Sequence, residues 1–576
     1  MAVLGQYNWL IAIISIAFCF SAFGNGANDV ANSYATSVAA RTLTMVQVGF
    51  LSIVTEFVGA VALGARVTST VKNSIIGIDR FRERPGVLIL AMTCAEVGSA
   101  TWLMVATRLG LPVSTTQTIV GALIGVGFAS EAPIKWAWTS GSVSQVVASW
   151  AIAPLIAGAM AALIFGTVKY LVLERENPMK QALRFIPFYL AFTAAMLALF
   201  IVVEAPTAPS LEEFGAGKAC GIILGVFFGM LAIAYIFFMP YFTRRLIKGD
   251  ARLRWYHVPM GPLLRKENVK LYFPGDPNGD VVTDHYKSAH KRTVTHSTDS
   301  PILKPSEEKK NHMNGGGLDD GIRGSDHVPS DVEQNNYHVT EPLIDKEFLG
   351  PHKRFLDPVA NLSLFNPKRL WGITKFVVLQ GVTRDCVSHD SERLADVHDL
   401  AKRYDNKVEH LWTYPQVASA MLMSIAHGSN DVANAVGPWS AALATYETGS
   451  VNTRSPTPVW MLVVAGFLLG LGFWVFGYHI IRSLGNKITQ LSPTRGFSME
   501  LGAAITVLLA SRLGLPVSTT QCLTGATVGV ALMNYNVRAV NWRQVLFIFS
   551  GWVFTLPIAG LISGLLMVMS LNAPHF

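Results

Sequence analysis

Two short motifs supply most of the polar side chains in the apolar parts of this 576-residue chain, and each motif occurs twice. The sequence Asn28-Asp-Val-Ala-Asn32 recurs as Asn430-Asp-Val-Ala-Asn434. The ten residues from Arg108 to Gln117 recur unchanged at positions 512–521. Identical matches in the same order indicate an internal duplication. A duplicated set of polar motifs in an apolar chain predicts a site shared by the two halves.

The first motif predicts a binding site for a hard monovalent cation. Each copy places one carboxylate between two asparagines, whose amide oxygens can share one face of a helix. One carboxylate with several neutral oxygens suits Na⁺, whereas Mg²⁺ and Ca²⁺ sites recruit more negative ligands. Glycines at positions 24, 26 and 428 are expected to loosen the helix before each copy. The candidate sodium ligands are Asn28, Asp29, Asn32, Asn430, Asp431 and Asn434.

One histidine adjoins the second copy of this motif. His427 has Asn25 as its counterpart in the first half, so the duplication does not repeat it. A single histidine on a helix is typical of packing or hydrogen bonding rather than of metal ligation. We therefore expect no transition-metal site, and Na⁺ is the only metal ion predicted.

The second motif suits an oxyanion such as phosphate. Its proline favours the first turn of a helix, and the hydroxyls and free N–H groups that follow would lie at a helix start. Such a terminus has a partial positive charge and binds anions readily. The alternative is an ordinary N-cap with Ser/Thr packing between membrane helices. The candidate anion-binding residues are Ser114, Thr115, Thr116, Ser518, Thr519 and Thr520.

Five acidic residues lie inside apolar segments: Asp29, Glu56, Glu96, Asp431 and Glu500. A carboxylate at the centre of a bilayer costs at least a few kcal/mol, so it usually faces a pathway or a partner. Glu96 and Glu500 are related by the repeat, whereas Glu56 has no evident counterpart. Structural pairing with a nearby cation or helix start is the alternative for each. The candidate gating or coupling residues are Glu56, Glu96, Glu500, Gln117 and Gln521.

The composition places these motifs in a membrane. The chain is 51% hydrophobic and only 15% charged, and 50 of its 84 charged residues lie between Phe242 and Trp412. Apolar runs of about the length needed to cross a bilayer recur on both sides of that stretch. A soluble enzyme and a single-span receptor are excluded. The charged stretch has a net charge of only +2, so no nucleic-acid partner is expected.

The predicted fold class is an all-α polytopic membrane protein. We expect about 12 transmembrane segments in two inverted-topology repeats with interrupted helices, plus a long cytoplasmic loop. The segments fall near 8–24, 43–65, 86–108, 112–129, 142–169, 186–204, 218–241, 413–426, 458–482, 498–513, 516–533 and 543–571. The predicted domains are an N-terminal repeat (1–241), a partly disordered loop (242–412) and a C-terminal repeat (413–576).

The central stretch indicates the topology. Basic residues cluster just after the seventh segment, which places its end in the cytoplasm and the N-terminus outside. Residues 275–345 are rich in Asp, Ser, His, Asn and Gly, which predicts disorder. Residues 369–380 form an amphipathic pattern, typical either of a helix on the membrane surface or of a small packed cytosolic helix.

At this point the chain resembles a known family. The segment Gly26–Ser33, its partner Gly428–Ala435 and the paired Pro-Val-Ser-Thr-Thr sequences are similar to those of the inorganic phosphate transporter family, over residues 8–242 and 413–571. That resemblance implies sodium- or proton-coupled phosphate symporters with duplicated halves, and some relatives carry sulfate. It implies cation sites at the Asn-Asp motifs and phosphate contacts from the Ser-Thr-Thr segments. It also implies functional acids matching Glu56 and Glu500.

One departure from the family pattern favours sodium. Many members end the second motif with histidine, whereas this chain has Gln117 and Gln521. The change removes two titratable groups from the expected site.

The sequence therefore predicts a sodium-dependent symporter that imports inorganic phosphate across the plasma membrane by alternating access. It is not expected to be an enzyme or to need a cofactor other than the co-transported Na⁺. The expected partners are phosphate, sodium ions and the lipid bilayer, and a homodimer is compatible with the pattern. The alternatives are proton coupling, sulfate as cargo, a phosphate sensor, and an intramembrane Mg²⁺-dependent lipid phosphotransferase. The last would need clustered carboxylates, and each motif has one.

Overall fold

The computed structural model of the chain describes residues 4–64, 75–138, 142–204, 215–286, 350–388, 391–451, 457–512 and 517–573. Helices dominate these residues, and the only β-pairing among them is an isolated bridge between Ile76 and Ile134. The helices of the first half are α1 (Asn8–Asn25), α2 (Ala31–Ala39), α3 (Met45–Leu63), α4 (Pro85–Arg108), α5 (Thr115–Ala129), α6 (Val143–Val168), α7 (Pro178–Glu204) and α8 (Ala216–Ile233). The central part contributes α9 (Pro351–Phe355), α10 (Pro367–Leu379) and α11 (Glu392–Asp399). The second half contains α12 (Asn406–Thr448), α13 (Val459–Leu484), α14 (Pro493–Arg512), α15 (Thr519–Leu532) and α16 (Trp542–Leu571).

The chain is a polytopic helical membrane protein. In the described ranges, eight helical runs are long and apolar enough to cross a bilayer, and α5 is a shorter apolar helix. Each of the twelve predicted segments overlaps one long helix or one short apolar helix. The ends of three of them, at 65, 513 and 516, lie outside the described residues.

Three predicted segments differ from the structure in length. Those at 112–129 and 516–533 begin later, at Thr115 and Thr519, and are only 15 and 14 residues long. The one predicted at 413–426 belongs to α12, a helix of 43 residues that begins at Asn406. Composition misplaced the ends of α12 because Glu409 and the polar motif residues are buried inside the helical bundle. The two short helices begin late because Ser114 and Ser518 are their N-caps.

The first motif lies on different helical geometry in the two halves. In the first half, Gly26–Val30 forms one π-helical turn between α1 and α2, so the predicted loosening occurs there. In the second half the expectation is wrong, because α12 continues through Gly428. Gly428 is needed for close packing instead: a Cβ there would lie 2.7 Å from the carbonyl oxygen of Glu56.

Two equivalent sets of glycine contacts hold the halves together. A Cβ on Gly121 or Gly125 of α5 would lie 2.5 or 2.0 Å from backbone carbonyls of α16. A Cβ on Gly525 or Gly529 of α15 would lie 2.1 or 2.2 Å from carbonyls of α6. Small residues allow such close approach of helix backbones in membranes. Each short helix therefore packs on the long helix that follows the equivalent short helix in the other half.

The segment after residue 274 is ordered further than the sequence predicted. Residues 275–286 reach the helical bundle, where His285 and Tyr286 are buried. The His285 ring lies 2.8 Å from the carbonyl of Ala40, just after α2. The backbone N–H of His285 donates to the side chain of Asn406 at the start of α12. Tyr286 donates to Glu409 at 2.6 Å. The prediction of disorder is wrong for 275–286, and residues 287–345 lie outside the described part.

Candidate functional site

The short helices α5 and α15 each begin at the second motif and are capped by their own serine. The Ser114 hydroxyl accepts the N–H of Gln117 at 3.2 Å, and Ser518 accepts that of Gln521 at 3.3 Å. Both serines are buried. The N-cap role, offered as the alternative by the sequence, is thus present in both copies. It uses the hydroxyl oxygen as acceptor and leaves each hydroxyl proton free to donate.

Asp29 joins the two helix starts. Its carboxylate accepts the Thr115 hydroxyl at 2.7 Å and the Thr115 N–H at 3.3 Å. It also accepts the Thr520 hydroxyl, from the other half, at 2.9 Å. A carboxylate at a helix N-terminus is favoured by the helix dipole. One acid of the first half therefore contacts the Ser-Thr-Thr segments of both halves.

Asp431 makes the equivalent contacts with the halves exchanged. Its carboxylate accepts the Thr519 hydroxyl at 3.0 Å and the Thr116 hydroxyl at 3.4 Å. Asn32 and Asn434 follow the same rule, because each donates across to the other half, to Thr520 at 2.6 Å and to Thr116 at 3.2 Å. The four predicted motifs thus form one buried cluster related by an approximate two-fold exchange.

The remaining motif asparagines hold the chain before each short helix. Asn28 donates to the carbonyl of Leu111 at 3.1 Å, and its side-chain oxygen accepts the N–H of Val113. Asn430 donates to the carbonyl of Val517 at 3.2 Å. Through these bonds Asn28 positions the start of α5, and its role as a sodium ligand stays a prediction.

His427 lies between two acids at the edge of this cluster. Its Nδ1 is 2.7 Å from Glu56 Oε2, and its Nε2 is 3.1 Å from Asp431 Oδ2, without hydrogen-bond alignment. The Ser424 hydroxyl donates to the other oxygen of Glu56 at 2.5 Å. The sequence had no counterpart for Glu56, and the structure shows why: its partner is the unrepeated histidine. The position of His427 four residues before Asp431 was the signal that linked it to the motif.

Several side-chain oxygens of the motif residues are buried without hydrogen-bond partners. Among the described side chains, Asn32 Oδ1, Gln117 Oε1 and Gln521 Oε1 are buried without a hydrogen-bond partner. One ligand atom each from Asp29, His427 and Asp431 lies within 4.8 Å of the others, a spacing that could hold a metal ion. Buried oxygens without donors are costly, and a bound cation would satisfy them. The donor set therefore fits a cation.

Glu500 and Glu96 occupy contrasting surroundings away from these contacts. The Glu500 carboxylate accepts hydroxyls from Thr36, Ser37 and Ser419 at 2.5, 2.7 and 2.6 Å, and the Gln416 amide at 3.3 Å. Among the described residues, neither oxygen of the fully buried Glu96 accepts a hydrogen bond of ordinary geometry. The repeat therefore preserves the acid in both halves but supplies hydrogen-bond donors in only one.

Relatives of known function match the whole chain. The model of the phosphate transporter family, PHO4, matches residues 25–563. The phosphate-repressible phosphate permease pho-4 of Neurospora crassa is 38% identical over all of this chain and 99% of its own length. Sodium-dependent phosphate transporter 1-B of Danio rerio is 29% identical over 98% of this chain and 96% of its own. Sodium-dependent phosphate transporter 1 of Rattus norvegicus is 28% identical over 97% and 95%.

A solved structure has the same fold. It is described as the sodium-dependent phosphate transporter, and it aligns with a TM-score of 0.63 and 23% identity over 98% of this chain and 99% of its own. The curated relatives are permeases and transporters, which sets aside the phosphotransferase alternative. The match across 25–563, together with the paired motifs meeting in one cluster, shows that the chain belongs to the phosphate transporter family.

Proposed function

We propose that this phosphate transporter is a sodium-coupled symporter that imports phosphate across the plasma membrane. The observation that carries the proposal is the set of reciprocal contacts in which Asp29 and Asp431 accept hydroxyls from both Ser-Thr-Thr segments. Cation-binding and anion-binding groups are then direct neighbours. Relatives named as sodium-dependent phosphate transporters support the same choice of ions.

The contacts suggest how the two ions are coupled. In the structure the threonine hydroxyls donate to the aspartates, so these donors for phosphate are already engaged, whereas the serine hydroxyl protons are free. Sodium bound at Asp29 and Asp431 would compete for the carboxylate oxygens and release these hydroxyls. Phosphate could then accept them at the two helix starts, where the helix dipoles favour an anion. Phosphate would bind well only after sodium, which is the basis of symport.

Alternating access is supported by the packing of the two halves. His285 contacts Ala40, just after the first helical run of the first half, and Asn406 at the start of the first helix of the second half. These helices therefore run in opposite directions relative to the face that bears the central segment. We infer an inverted repeat, with the central segment cytoplasmic, the N-terminus extracellular and the two halves rocking around the cluster.

The homodimer stays a prediction, for which chemical cross-linking in native membranes is the measurement.

Sodium is preferred to protons because buried oxygens without partners, among the described motif residues, belong to neutral amides. Asn32 and Gln521 offer such oxygens, and an amide oxygen binds Na⁺ but does not titrate.

One observation favours proton coupling as the second candidate. His427 brings a titratable ring into contact with Glu56 and close to Asp431, which the sequence did not anticipate. We propose a coupling role for Glu500 as well, because its hydroxyl-rich surroundings also suit a cation. Glu96, the repeat-related acid without such donors, is the comparison for that role.

The deciding experiment is phosphate uptake into proteoliposomes containing the full chain. We expect accumulation when an inward sodium gradient is present and none when choline replaces sodium. An electrical potential negative inside should increase uptake if more than one Na⁺ accompanies each H₂PO₄⁻, since each net charge contributes about 2.3 kcal/mol per 100 mV. Equal accumulation driven by a proton gradient in sodium-free medium would overturn sodium coupling and leave the proton-coupled alternative.

A further inference from the structure

A short helical hairpin in the central part of the chain has one closed face and one open face. Helices α9 and α10 pack together at Gly372, where a Cβ would lie 2.7 Å from the Val359 side chain and 2.9 Å from the Phe355 carbonyl. Phe376, one turn later, makes an edge contact with His352 at 6.1 Å. The opposite face of α10 therefore points away from the rest of the hairpin.

That open face is strongly apolar. Phe365 is 88% exposed and Trp371 is 60% exposed, values unusual for large apolar side chains in water. The residues of the face, hereafter the α10 apolar face, are Leu364, Phe365, Leu370, Trp371, Val377 and Val378. Along α10 they recur with the spacing of a single helical stripe. A helix with such a stripe normally buries it against another surface.

The α10 apolar face continues the lipid-facing surface of the bundle. The Trp474 indole on α13, a membrane-spanning helix, donates to the carbonyl of Val378 at 2.6 Å. On its other side Trp474 makes an edge contact at 5.0 Å with Phe50, which is exposed on the membrane-spanning α3. Farther along, the Arg384 guanidinium lies 4.3 Å from the centre of the Tyr478 ring on α13. The end of α10 is thus fixed beside residues that face lipid.

Basic side chains border the α10 apolar face. Residues 350–380 contain five Lys or Arg and one Asp, hence a net charge of +4. The Lys375 ammonium lies 5.2 Å from the Trp371 ring centre, and Lys368 is exposed near the start of the helix. A Trp-containing apolar stripe with flanking lysines is typical of a helix that lies in a membrane interface. The lysines would then reach the phosphate-bearing headgroups.

We propose that the α10 apolar face is embedded in the bilayer surface on the side of the central segment, with Lys368 and Lys375 contacting anionic lipid headgroups. The surface anchors the central part of the chain beside α3 and α13. The inference is separate from sodium coupling, because it involves none of the residues of the ion site. It also resolves the two readings of this amphipathic stretch in favour of the membrane surface.

The test uses the full chain in liposomes, with a fluorescent bimane group attached to single cysteines after the native cysteines are replaced. The labelled variants are Phe365→Cys and Trp371→Cys, with Phe50→Cys as the lipid-facing reference. Glu392→Cys, exposed on α11, is the matched aqueous control. Lipids brominated near the headgroup quench a bimane that touches them. We expect quenching at 365 and 371 comparable to that at 50, and none at 392.

The opposite result is equally informative. If the α10 apolar face is covered by another part of this chain or by a second copy, bimane at 365 and 371 will escape quenching as at 392, and the proposal is wrong. The quenching measurement reports contact with lipid and does not depend on transport. It therefore remains valid even if uptake proves to be proton-coupled.

A second arm tests the choice of headgroup. In mixed liposomes, brominated phosphatidylserine should quench bimane at 371 more than brominated phosphatidylcholine does at the same mole fraction. Lys368→Gln/Lys375→Gln should abolish that preference, whereas Arg393→Gln/Lys407→Gln, which neutralises two exposed charges elsewhere, should retain it. Equal quenching by the two lipids in the unaltered protein would overturn the anionic-headgroup assignment.

Discussion

The His427 imidazole lies 2.7 Å from Glu56, so an unrepeated base of the second half contacts an unrepeated acid of the first. Both side chains are fully buried, and the other ring nitrogen approaches Asp431 at 3.1 Å. Glu56 is thereby linked to the ion cluster through one ring. An acid that contacts no other motif residue through the described hydrogen bonds can therefore influence the candidate sodium site.

The linkage predicts that Glu56→Gln and His427→Asn will not have additive effects on uptake. Residues in direct contact show coupling of roughly 0.5–3 kcal/mol, so the double variant should be much less impaired than the product of the single effects. The measurement is initial phosphate uptake for the two single variants and the double variant. The control is Glu96→Gln with His427→Asn, whose residues share no described contact, and there the effects should multiply. Additivity in the Glu56 pair would show that the contact has no functional role.

The cluster also predicts different ion dependence for its aspartates and serines. Asp29→Asn and Asp431→Asn should weaken sodium binding, and raising sodium should partly restore phosphate half-saturation, because linkage between two ligands is reciprocal. Ser114→Ala and Ser518→Ala should weaken phosphate binding by about 1–3 kcal/mol, with no rescue by sodium. The measurement is phosphate half-saturation against sodium concentration.

The serine variants need a control that the sequence alone did not suggest. Because each serine caps its helix, alanine also removes a cap that contributes about 0.5–2 kcal/mol. Ser114→Asn and Ser518→Asn restore a capping acceptor, while their amide N–H donors are carried on a longer side chain than the serine hydroxyl. We expect them to recover protein stability but not phosphate affinity. Should sodium rescue the serine variants rather than the aspartate variants, the two motifs have been assigned to the wrong ions.

The central segment should divide into a dispensable and an indispensable part. The sequence predicted disorder for all of 275–345, but Tyr286 donates to the buried Glu409 at 2.6 Å, and the Thr494 N–H donates to the same carboxylate at 2.9 Å. Deleting 288–345 should preserve uptake, whereas a deletion that begins at 281 should reduce it. Tyr286→Phe, which removes only the hydroxyl, should show part of the loss. Surface delivery is measured alongside uptake, and equal activity of both deletions would contradict the role of 281–286.

The turn after α8 should depend on pH. Hydrogen bonds from Arg252, and then from Arg244, hold the pKa of Asp250 at about 2 in the folded protein, below its ordinary value near 3.9. The ionised acid therefore stabilises this turn above about pH 4, and the stabilisation is lost as pH falls from about 4 to 2. Hydrogen exchange of residues 248–267 should report this loss. In Asp250→Asn the protection factors, which compare exchange with its intrinsic rate at each pH, should already be low at pH 7 and vary little with pH. Protection factors like those of the unaltered protein would argue against the contact.

The fold was largely predictable because its periodic and compositional signals are strong. Apolar runs located the helices, and two identical motif pairs predicted one shared site. The ends of α12 were missed because Glu409 and the motif residues are polar but buried, and composition does not report burial. His427 was underestimated for a related reason: its partner Glu56 is 371 positions away, and no local pattern reports a contact between halves. The positioning role of Asn28 was not predictable, because residue type does not reveal that its side-chain oxygen accepts the N–H of Val113.

The exchange of short helices between halves has a consequence for biogenesis. Gly125 of α5 packs on the carbonyl of Gly560 in α16, the last described helix of the chain. During synthesis, α5 enters the membrane long before α16 leaves the ribosome. Until then, the glycine face of α5 must contact lipid or a helper protein. The first half is therefore completed by a helix made long after it, and truncation of α16 should disturb the beginning of the protein as much as its end.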